Sequence, residues 1–404
     1  MLFLTIAALF FVFVTPVLSC VISLALMLKF KDVKYKYISG LIFATGLGMV
    51  LSNFYPAGDL DMTRYFMFMN TLTSMPVAQA LGEILQNSDP LSYLMMYTVS
   101  SLLGNHYILI FVSLICYAVY FYIVLNISKQ NNSSPQKTNL ALLIFILCFQ
   151  IVTTITGIRY GIAVALFALG LYMENRGKKK LAWLAYVVAC LTHASALILI
   201  AIRLLSLIIR KRATLPSVAI LYMTPVLLVP FIFGVLGHLN LPGIEDTILK
   251  LGFYVGASES STSYFFWFNL AFSIIALVIL IIYKLKSKNG SLLVDVNIAV
   301  LLAGIGCLVY PVIGGRLLTA GRYLFLLNIP LILALFYSGA GKYSLRSIPL
   351  WRSFGVVALI FIVTGSIFFQ IYSLAGLDID WANAILNSFE LDQSKIITLE
   401  GLKP

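Results

Sequence analysis

The stretch KKLAWLAYVVACLTHASALILIAIRLLSLIIRKR, residues 179–212, decides the fold because basic residues flank both ends of one long apolar run. As a single helix, the apolar part would extend over about 46 Å, well beyond the ~30 Å hydrocarbon core of a bilayer. A single crossing would also place the two basic ends on opposite sides of a membrane, although basic loops favour the cytoplasmic side. The stretch therefore predicts two short helices, 179–192 and 194–209, with a turn near Thr192 and His193.

Similar apolar runs recur along the 404 residues, of which 61% are hydrophobic and 10% are charged. A soluble domain carries about 25% charged residues, so this composition excludes a soluble enzyme, a disordered protein and a nucleic-acid binder. We predict an all-α polytopic membrane protein, with about 12 transmembrane helices, some short or re-entrant, in a single membrane domain over 1–404. The predicted spans are 2–28, 37–55, 106–127, 139–156, 158–174, 179–192, 194–209, 216–236, 264–283, 294–313, 320–338 and 353–375.

The net charge of +12 is distributed unevenly between the predicted loops. One set of alternate loops holds 19 of the 27 basic residues and only three of the 15 acidic ones, so these loops are predicted to be cytoplasmic and both termini to lie outside. Arg203, which falls inside a span, is predicted to snorkel towards the interface. The outer segments are 56–105, which is predicted to contain amphipathic interfacial helices, then 238–263, and the C-terminal tail 376–404.

The turn at His193 is predicted to line a cavity. Because both helical arms are short, the turn lies recessed below the outer surface. Backbone bent at that depth is tolerated only where it is buried in protein or lines a wet cavity. The sequence therefore predicts a polar cavity that opens to the outside, with His193 on its floor.

Ionisable side chains near a membrane are costly and mark candidate sites. A guanidinium stays charged and binds phosphate bidentately, and a carboxylate or imidazole can take a proton from a hydroxyl. The outward-facing ionisable residues therefore favour a reaction with a diphosphate leaving group and a hydroxyl nucleophile. Two of them, Asp61 and Arg64, could instead simply pair with each other. The outward-facing set is Asp59, Asp61, Arg64, Arg159, His193, Arg316 and Arg322.

Four short segments resemble the bacterial polysaccharide polymerases of the O-antigen and capsule type (Wzy), especially the EpsG-like branch. The most specific pair is Gly157-Ile158-Arg159-Tyr160-Gly161 and, about thirty residues later, Leu191-Thr192-His193-Ala194-Ser195. The other two are Gly58-Asp59-x-Asp61-x-x-Arg64-Tyr65 and Gly315-Arg316 with Gly321-Arg322-Tyr323. The resemblance runs from about residue 37 to residue 338.

The resemblance implies a GT-C-like glycosyltransferase on the outer face of the bacterial inner membrane. Such an enzyme would transfer a growing chain from undecaprenyl diphosphate to a new lipid-linked oligosaccharide repeat unit, and would need no metal and no cofactor. The expected partners are that lipid-linked donor and acceptor and membrane lipids, but no nucleic acid; a chain-length regulator and a flippase of the same pathway are candidate protein partners.

Roles for individual residues follow as hypotheses. The diphosphate is assigned to Arg159, Arg316 and Arg322, with Arg64 as a further candidate. The base is one of Asp61, Asp59 and His193, with Asp61 slightly preferred because a carboxylate is already ionised at neutral pH. Sugar or acceptor contacts are assigned to Tyr65, Tyr160, Tyr323 and Ser195, although the tyrosines fit equally an interfacial aromatic belt.

Three other functions stay open at this point. A flippase or transporter of lipid-linked sugar would need cations throughout the depth of a central cavity, whereas these cluster on the outer side. An O-antigen ligase, or a glycosyltransferase that uses a polyprenyl-phosphate sugar, would fit the same charges. An assembly subunit without activity is the third.

Overall fold

A computed structural model describes residues 2–55, 61–151, 154, 157–211, 264–287, 291–336, 350–375 and 378–379. These residues are almost entirely α-helical, which confirms the predicted helical class. In them, one antiparallel pair of two-residue strands occurs, β1 (Phe54–Tyr55) with β2 (Asp378–Ile379). The predicted span 216–236, the outer segment 238–263 and most of the tail 376–404 lie outside the described residues.

The single span expected over 2–28 is two helices in the structure. Proline has no N–H to continue a helix and disfavours helical backbone in the residue before it, so the break falls at Thr15 and Pro16. The hydroxyl of Ser19 donates to the carbonyl of Ala8 at 2.8 Å, which shows that the second helix folds back against the first. The two helices are α1 (Leu2–Val14) and α2 (Pro16–Lys29).

The next helix, α3 (Val33–Ser52), begins after Asp32, whose carboxylate accepts a hydrogen bond from the backbone N–H of Lys34 at 2.7 Å. Such a cap satisfies one of the free N–H groups at a helix start. Lys36, which the charge count assigned to a cytoplasmic loop, lies inside this helix and is buried. Its ammonium donates to the carbonyl of Met27 at 2.8 Å, so this lysine fastens α3 to the end of α2.

The predicted outer segment 56–105 is helical where the structure describes it. The expected amphipathic helix is present: Ile84 is buried, whereas Leu85 beside it is exposed. A helix with one apolar face against protein and another facing outwards fits an interfacial position. The three helices of this segment are α4 (Asp61–Ser74), α5 (Val77–Gln86) and α6 (Pro90–Leu103).

Two helices follow that carry much of the aromatic core. α7 (Ile108–Gln130) packs along α3, and α8 (Pro135–Cys148) begins after Ser134. The ring of Tyr117 lies 5.7 Å from that of Phe43 and 5.1 Å from that of Phe149, both edge to face. Edge-to-face contacts between aromatic rings add to the stability gained from burial, so this cluster joins the N-terminal helices to the rest of the bundle.

The stretch at 179–212 forms two helices, as predicted. α9 (Ile158–Asn175) precedes it, and the chain turns at Gly177, whose positive φ of 76° favours glycine. α10 (Lys179–Thr192) ends at the residue expected from the sequence, and α11 (Ala196–Lys211) begins three residues after His193. His193 itself has extended backbone angles, φ −157° and ψ 122°, which break the helix between the two arms.

The last described helices surround α14 (Pro311–Phe336), and one predicted boundary there is wrong. Spans were expected over 294–313 and 320–338, with Arg316 in the turn between them, but the chain leaves the helix near Cys307 and a new one starts at Pro311. Proline is well suited to the first position of a helix, so Arg316 and Arg322 both lie within one long helix. The elements are α12 (Tyr264–Lys286), α13 (Leu292–Gly306), α14 (Pro311–Phe336) and α15 (Leu350–Ala375).

Four helical segments of the described residues are long and apolar enough to cross a membrane: Asn105–Gln130, Trp267–Lys286, Val312–Phe336 and Trp351–Ile371. Several other described helices, among them α2, α8 and α13, are apolar but shorter. The chain is therefore a helical membrane protein by the length and composition of its helices, and the count of about 12 spans stays a prediction.

Candidate functional site

Asp89 stands immediately before α6, and its carboxylate points away from that helix. The side chain is 3% exposed, and one oxygen, Oδ2, lies 2.6 Å from Nη1 of Arg159. The other oxygen, Oδ1, accepts a hydrogen bond from the backbone N–H of Ala194 at 2.9 Å. One carboxylate therefore joins three segments that are distant in sequence: the start of α6, the start of α9 and the turn between α10 and α11.

Arg159 is held in the first turn of α9 by two tyrosines as well as by Asp89. Its Nη1 donates to the hydroxyl of Tyr93 at 2.8 Å, and its Nε donates to that of Tyr65 at 3.3 Å. The guanidinium carbon lies 5.0 Å and 5.1 Å from the centres of these two rings, within the range of cation–π attraction. Arg159 is thus an ion-paired and immobilised cation.

The imidazole of His193 lies between Asp89 and Arg316. Its Nδ1 is 3.5 Å from Oδ2 of Asp89, and its Nε2 is 3.4 Å from Nη1 of Arg316. The ring of Tyr160 contacts it edge to face at 5.8 Å. The predicted position of His193 at the floor of a recessed turn thus coincides with a cluster of charged and aromatic side chains.

Burial and charge act in opposite directions on the two titrating groups of this cluster. Burial raises the pKa of Asp89, but His193, Arg159 and the N–H of Ala194 outweigh it, so the pKa lies below the ordinary value and the carboxylate stays ionised. Burial lowers the pKa of His193, Asp89 raises it, and Arg316 and Arg159 lower it further. The net direction is downward, which favours a neutral imidazole at neutral pH.

Arg316 lies in the second turn of α14 on the far side of His193. The hydroxyl of Tyr160 donates to the backbone carbonyl of Arg316, and the guanidinium carbon lies 5.8 Å from the centre of the Tyr160 ring. A side chain at the preceding residue, Gly315, would meet no atom of the structure within 4 Å. Within the described part of the chain, no residue therefore packs against α14 at the position of Gly315.

Arg322 is placed apart from the His193 cluster. It follows Arg316 by six residues on the same helix, about 9 Å along the axis, and it is completely buried. Its guanidinium donates to the side-chain oxygens of Asn269 and Gln150. The sequence expectation that Arg322 marks the end of a span is wrong, because it lies deep inside α14.

The remaining predicted residues lie in three kinds of position. Tyr323 is buried beside Arg322 and donates to the backbone carbonyl of Gln150 at 3.0 Å. The Oγ of Ser195 is buried next to His193 and has no hydrogen-bond partner within the described part of the chain. Arg64 is exposed on α4. Asp61 begins α4, but its side chain, like the whole of Asp59, lies outside what the structure describes.

Two members of the cluster, Asp89 and Tyr93, were missed by sequence reasoning. The segment Asn87-Ser88-Asp89-Pro90 has the composition of an ordinary helix start, in which an acidic residue precedes a proline. The sequence signal that could have pointed to Asp89 is that it is a further acidic residue in the outer segment, close to the amphipathic helix α5. Among the described residues, no three histidine, cysteine or acidic side chains come together as a possible metal-ligand group.

A family model described as the EpsG family matches residues 37–382, which is most of the chain and includes every residue of the cluster. No curated protein matches the chain. No solved structure matches it either.

Proposed function

Because the chain belongs to the EpsG family, we propose that it is a polysaccharide polymerase that joins oligosaccharide repeat units carried on undecaprenyl diphosphate. The growing chain passes from its carrier to a hydroxyl of a new lipid-linked unit, and undecaprenyl diphosphate is released. The reaction takes place on the outer face of the bacterial inner membrane, within a GT-C-like arrangement of about 12 spans. A chain-length regulator and a flippase of the same pathway are the proposed protein partners.

The observation that carries this proposal is the juxtaposition of Arg316 and His193. Their facing nitrogens, Nη1 and Nε2, are 3.4 Å apart. A guanidinium can stabilise the negative charge that develops on a departing diphosphate. An imidazole at the same place can accept the proton of the attacking hydroxyl, so both requirements of the transfer meet at one point.

The arginines contribute in different ways in this proposal. The charge of Arg159 is already balanced by Asp89 at 2.6 Å, so its part is to fix Asp89 and the neighbouring tyrosines. Arg316 makes the direct contact with the diphosphate. Arg64, which is exposed on α4, remains a candidate contact for the diphosphate of the second lipid-linked substrate. Arg322 is completely buried and donates to Asn269 and Gln150, so its part is to hold α14 in the bundle.

The hydroxyl and aromatic groups around His193 suit the sugar acceptor. Ser195 has a buried hydroxyl without a partner in the described residues, which makes it a candidate donor to a sugar oxygen. Tyr160 presents its ring to both His193 and Arg316, and Tyr65 faces Arg159. Tyr323 is packed deeper, against Phe149 and Tyr120, and its role is to support the helix that carries Arg316.

Reconstitution tests the proposal directly. The purified full chain in proteoliposomes, supplied with the lipid-linked repeat unit extracted from its host cells and nothing else, is expected to form a ladder of longer products. Arg316→Gln is expected to slow ladder formation by about 10²–10³-fold, because a charge-stabilising donor is lost. Arg176→Gln, which removes an exposed arginine at the end of α9, serves as the matched control.

Other outcomes would contradict a polymerase. A product that forms only when a lipid A core is added would indicate a ligase. Elongation that requires a polyprenyl-phosphate monosaccharide would indicate a single-sugar transferase. Unchanged substrate that crosses the bilayer would indicate a carrier, and no change of any kind would indicate an assembly subunit.

A further inference from the structure

The carboxylate of Asp89 occupies a helix N-cap position but makes no capping hydrogen bond to α6. Aspartate at this position ordinarily accepts from the N–H groups of its own first turn. Here both oxygens are directed to other segments, Oδ1 to the N–H of Ala194 and Oδ2 to Arg159 and the ring of His193. The geometry fixes the backbone of the turn that carries His193 and places the carboxylate within ion-pair distance of its ring.

The contacts of His193 also determine which ring nitrogen carries the proton. A guanidinium has donors and no acceptor, so Nε2, which faces Nη1 of Arg316 at 3.4 Å, can face it favourably only through its lone pair. The proton of the neutral ring then lies on Nδ1, the nitrogen that faces Asp89 at 3.5 Å. This leaves Nε2 as the basic atom, on the side of Arg316.

From this arrangement we infer that Asp89 is a positioning residue that orients His193 as the base of the glycosyl transfer. The inference rests on the proposed polymerase function. When Arg316 turns towards the diphosphate, Nε2 takes the proton of the acceptor hydroxyl. The hydroxyl oxygen bonds to the anomeric carbon, the bond from that carbon to the diphosphate breaks, and its electron pair leaves with undecaprenyl diphosphate. The resulting imidazolium is stabilised by Asp89 until its proton passes to water.

Asp89 is itself poorly placed to act as the base. Its side chain is 3% exposed, one oxygen is bound to the Ala194 N–H, and the other is 2.6 Å from Arg159. A carboxylate with both oxygens engaged and its pKa held low is a weak acceptor for a hydroxyl proton. The neutral imidazole, by contrast, has a free lone pair once Arg316 moves.

Among the described residues, the charged and titratable groups that face His193 come from three elements: Asp89 at the start of α6, Arg159 and Tyr160 on α9, and Arg316 on α14. Asp89 is the one acid in this set, and it raises the pKa of His193 against burial and both arginines. A base works in its neutral form, so activity is present above the pKa of His193 and is lost as pH falls through it. Asp89→Asn therefore lowers this pKa, and the acid limb of the pH profile moves to lower pH.

The experiment measures kcat against pH for the full chain in proteoliposomes, with the lipid-linked repeat unit as substrate. His193→Gln is expected to lower kcat by about 10²–10⁴-fold and to abolish the acid limb. Asp89→Asn is expected to lower kcat and to shift the limb to lower pH. In the double variant the loss should equal that of His193→Gln alone, because residues that act as one unit are not additive. Glu174→Gln, which breaks a buried pair with Arg203 away from this cluster, should leave the limb in place.

A second comparison covers the case in which Asp89→Asn does not fold because Arg159 loses its counter-ion. The double variant Asp89→Asn, Arg159→Gln removes both charges and is compared with Arg159→Gln alone. The acid limb of the double variant should lie at lower pH than that of Arg159→Gln. The role of Asp89 would be overturned if the acid limb did not move in either comparison. It would also be overturned if the losses in kcat from Asp89→Asn and His193→Gln multiplied when the two substitutions were combined. Absence of turnover by the wild-type chain would instead count against the polymerase function.

Discussion

Gly314 and Gly315 are neighbours in α14, but a side chain would meet different surroundings at each. A Cβ at Gly314 would lie 2.8 Å from the backbone carbonyl oxygen of Cys307, closer than van der Waals contact allows. At Gly315 it would meet no atom of the described residues within 4 Å. The first glycine thus permits close packing of α14 on the end of α13, and the second lies where no described residue packs against the helix.

Alanine substitution should separate these two roles. Gly314→Ala is expected to destabilise the protein by about 1–3 kcal/mol, because backbone must move to admit the methyl group. Gly315→Ala is expected to stabilise it by up to about 1 kcal/mol, through the higher helix propensity of alanine. Thermal unfolding of both purified variants in one detergent provides the measurement. Equal shifts in Tm would show that the contact with Cys307 does not limit packing.

The sequence led to His193, Arg159 and Arg316, because ionisable residues at predicted span ends are few and each demands an explanation. It could not lead to Asp89, since nothing local distinguishes that residue from a helix cap. Its partners Arg159 and Ala194 are 70 and 105 residues away along the chain. Contacts of that separation depend on how helices pack, which a single sequence does not display.

A partly buried ion pair joins the helices that follow the site. Arg203 of α11 donates to Glu174 of α9, with 2.8 Å between Nε and Oε2, and Tyr186 of α10 donates to the same carboxylate at 2.9 Å. Arg203 thus directs its charge to an acid at the end of α9, and the expectation that it snorkels towards the interface stays a prediction. The network joins the end of α9 to the middle of α10 and of α11.

Removing one partner of this ion pair should cost more stability than removing both partners. Arg203→Met leaves the half-buried Glu174 without its counter-ion and is expected to destabilise the protein by about 1–3 kcal/mol. Adding Glu174→Gln should recover much of that loss, because the uncompensated charge is removed as well. Unfolding temperatures of the two single variants and the double variant complete the cycle. A double variant less stable than either single one would show that the pair contributes net stability.

Helix boundaries were predictable where the sequence marks them chemically. The basic turn around Gly177 marks the end of α9 at Asn175 and the start of α10 at Lys179, and the polar pair Thr192-His193 marks the end of α10. The structure agrees with these predicted boundaries within one residue. The breaks before Pro16 and Pro311 were not anticipated, because hydropathy stays high across both. A span defined by apolar length alone ignores the backbone restriction that proline imposes.

For the whole molecule, the class was predictable and the assembly of the site was not. The composition of 61% hydrophobic and 10% charged residues is sufficient for a helical membrane protein. The site brings together α4, α6, α9, α14 and the turn before α11, and only their joint packing places Asp89 between Arg159 and His193. Arg322 illustrates the limit: the sequence grouped it with Arg316, but six residues along a helix separate their surroundings.

Orientation in the membrane is the remaining property on which the chemistry depends, and cysteine labelling measures it. Glu83→Cys on α5 should react with a membrane-impermeant maleimide in intact cells, and Lys178→Cys only after permeabilisation, because basic turns face the cytoplasm. Both replaced side chains are exposed, and the wild-type chain controls for its five native cysteines. The reverse pattern would place Asp89 and His193 on the cytoplasmic side. Nucleotide sugars are available there, so a lipid-linked donor would no longer be required and the proposed substrate would lose its main support.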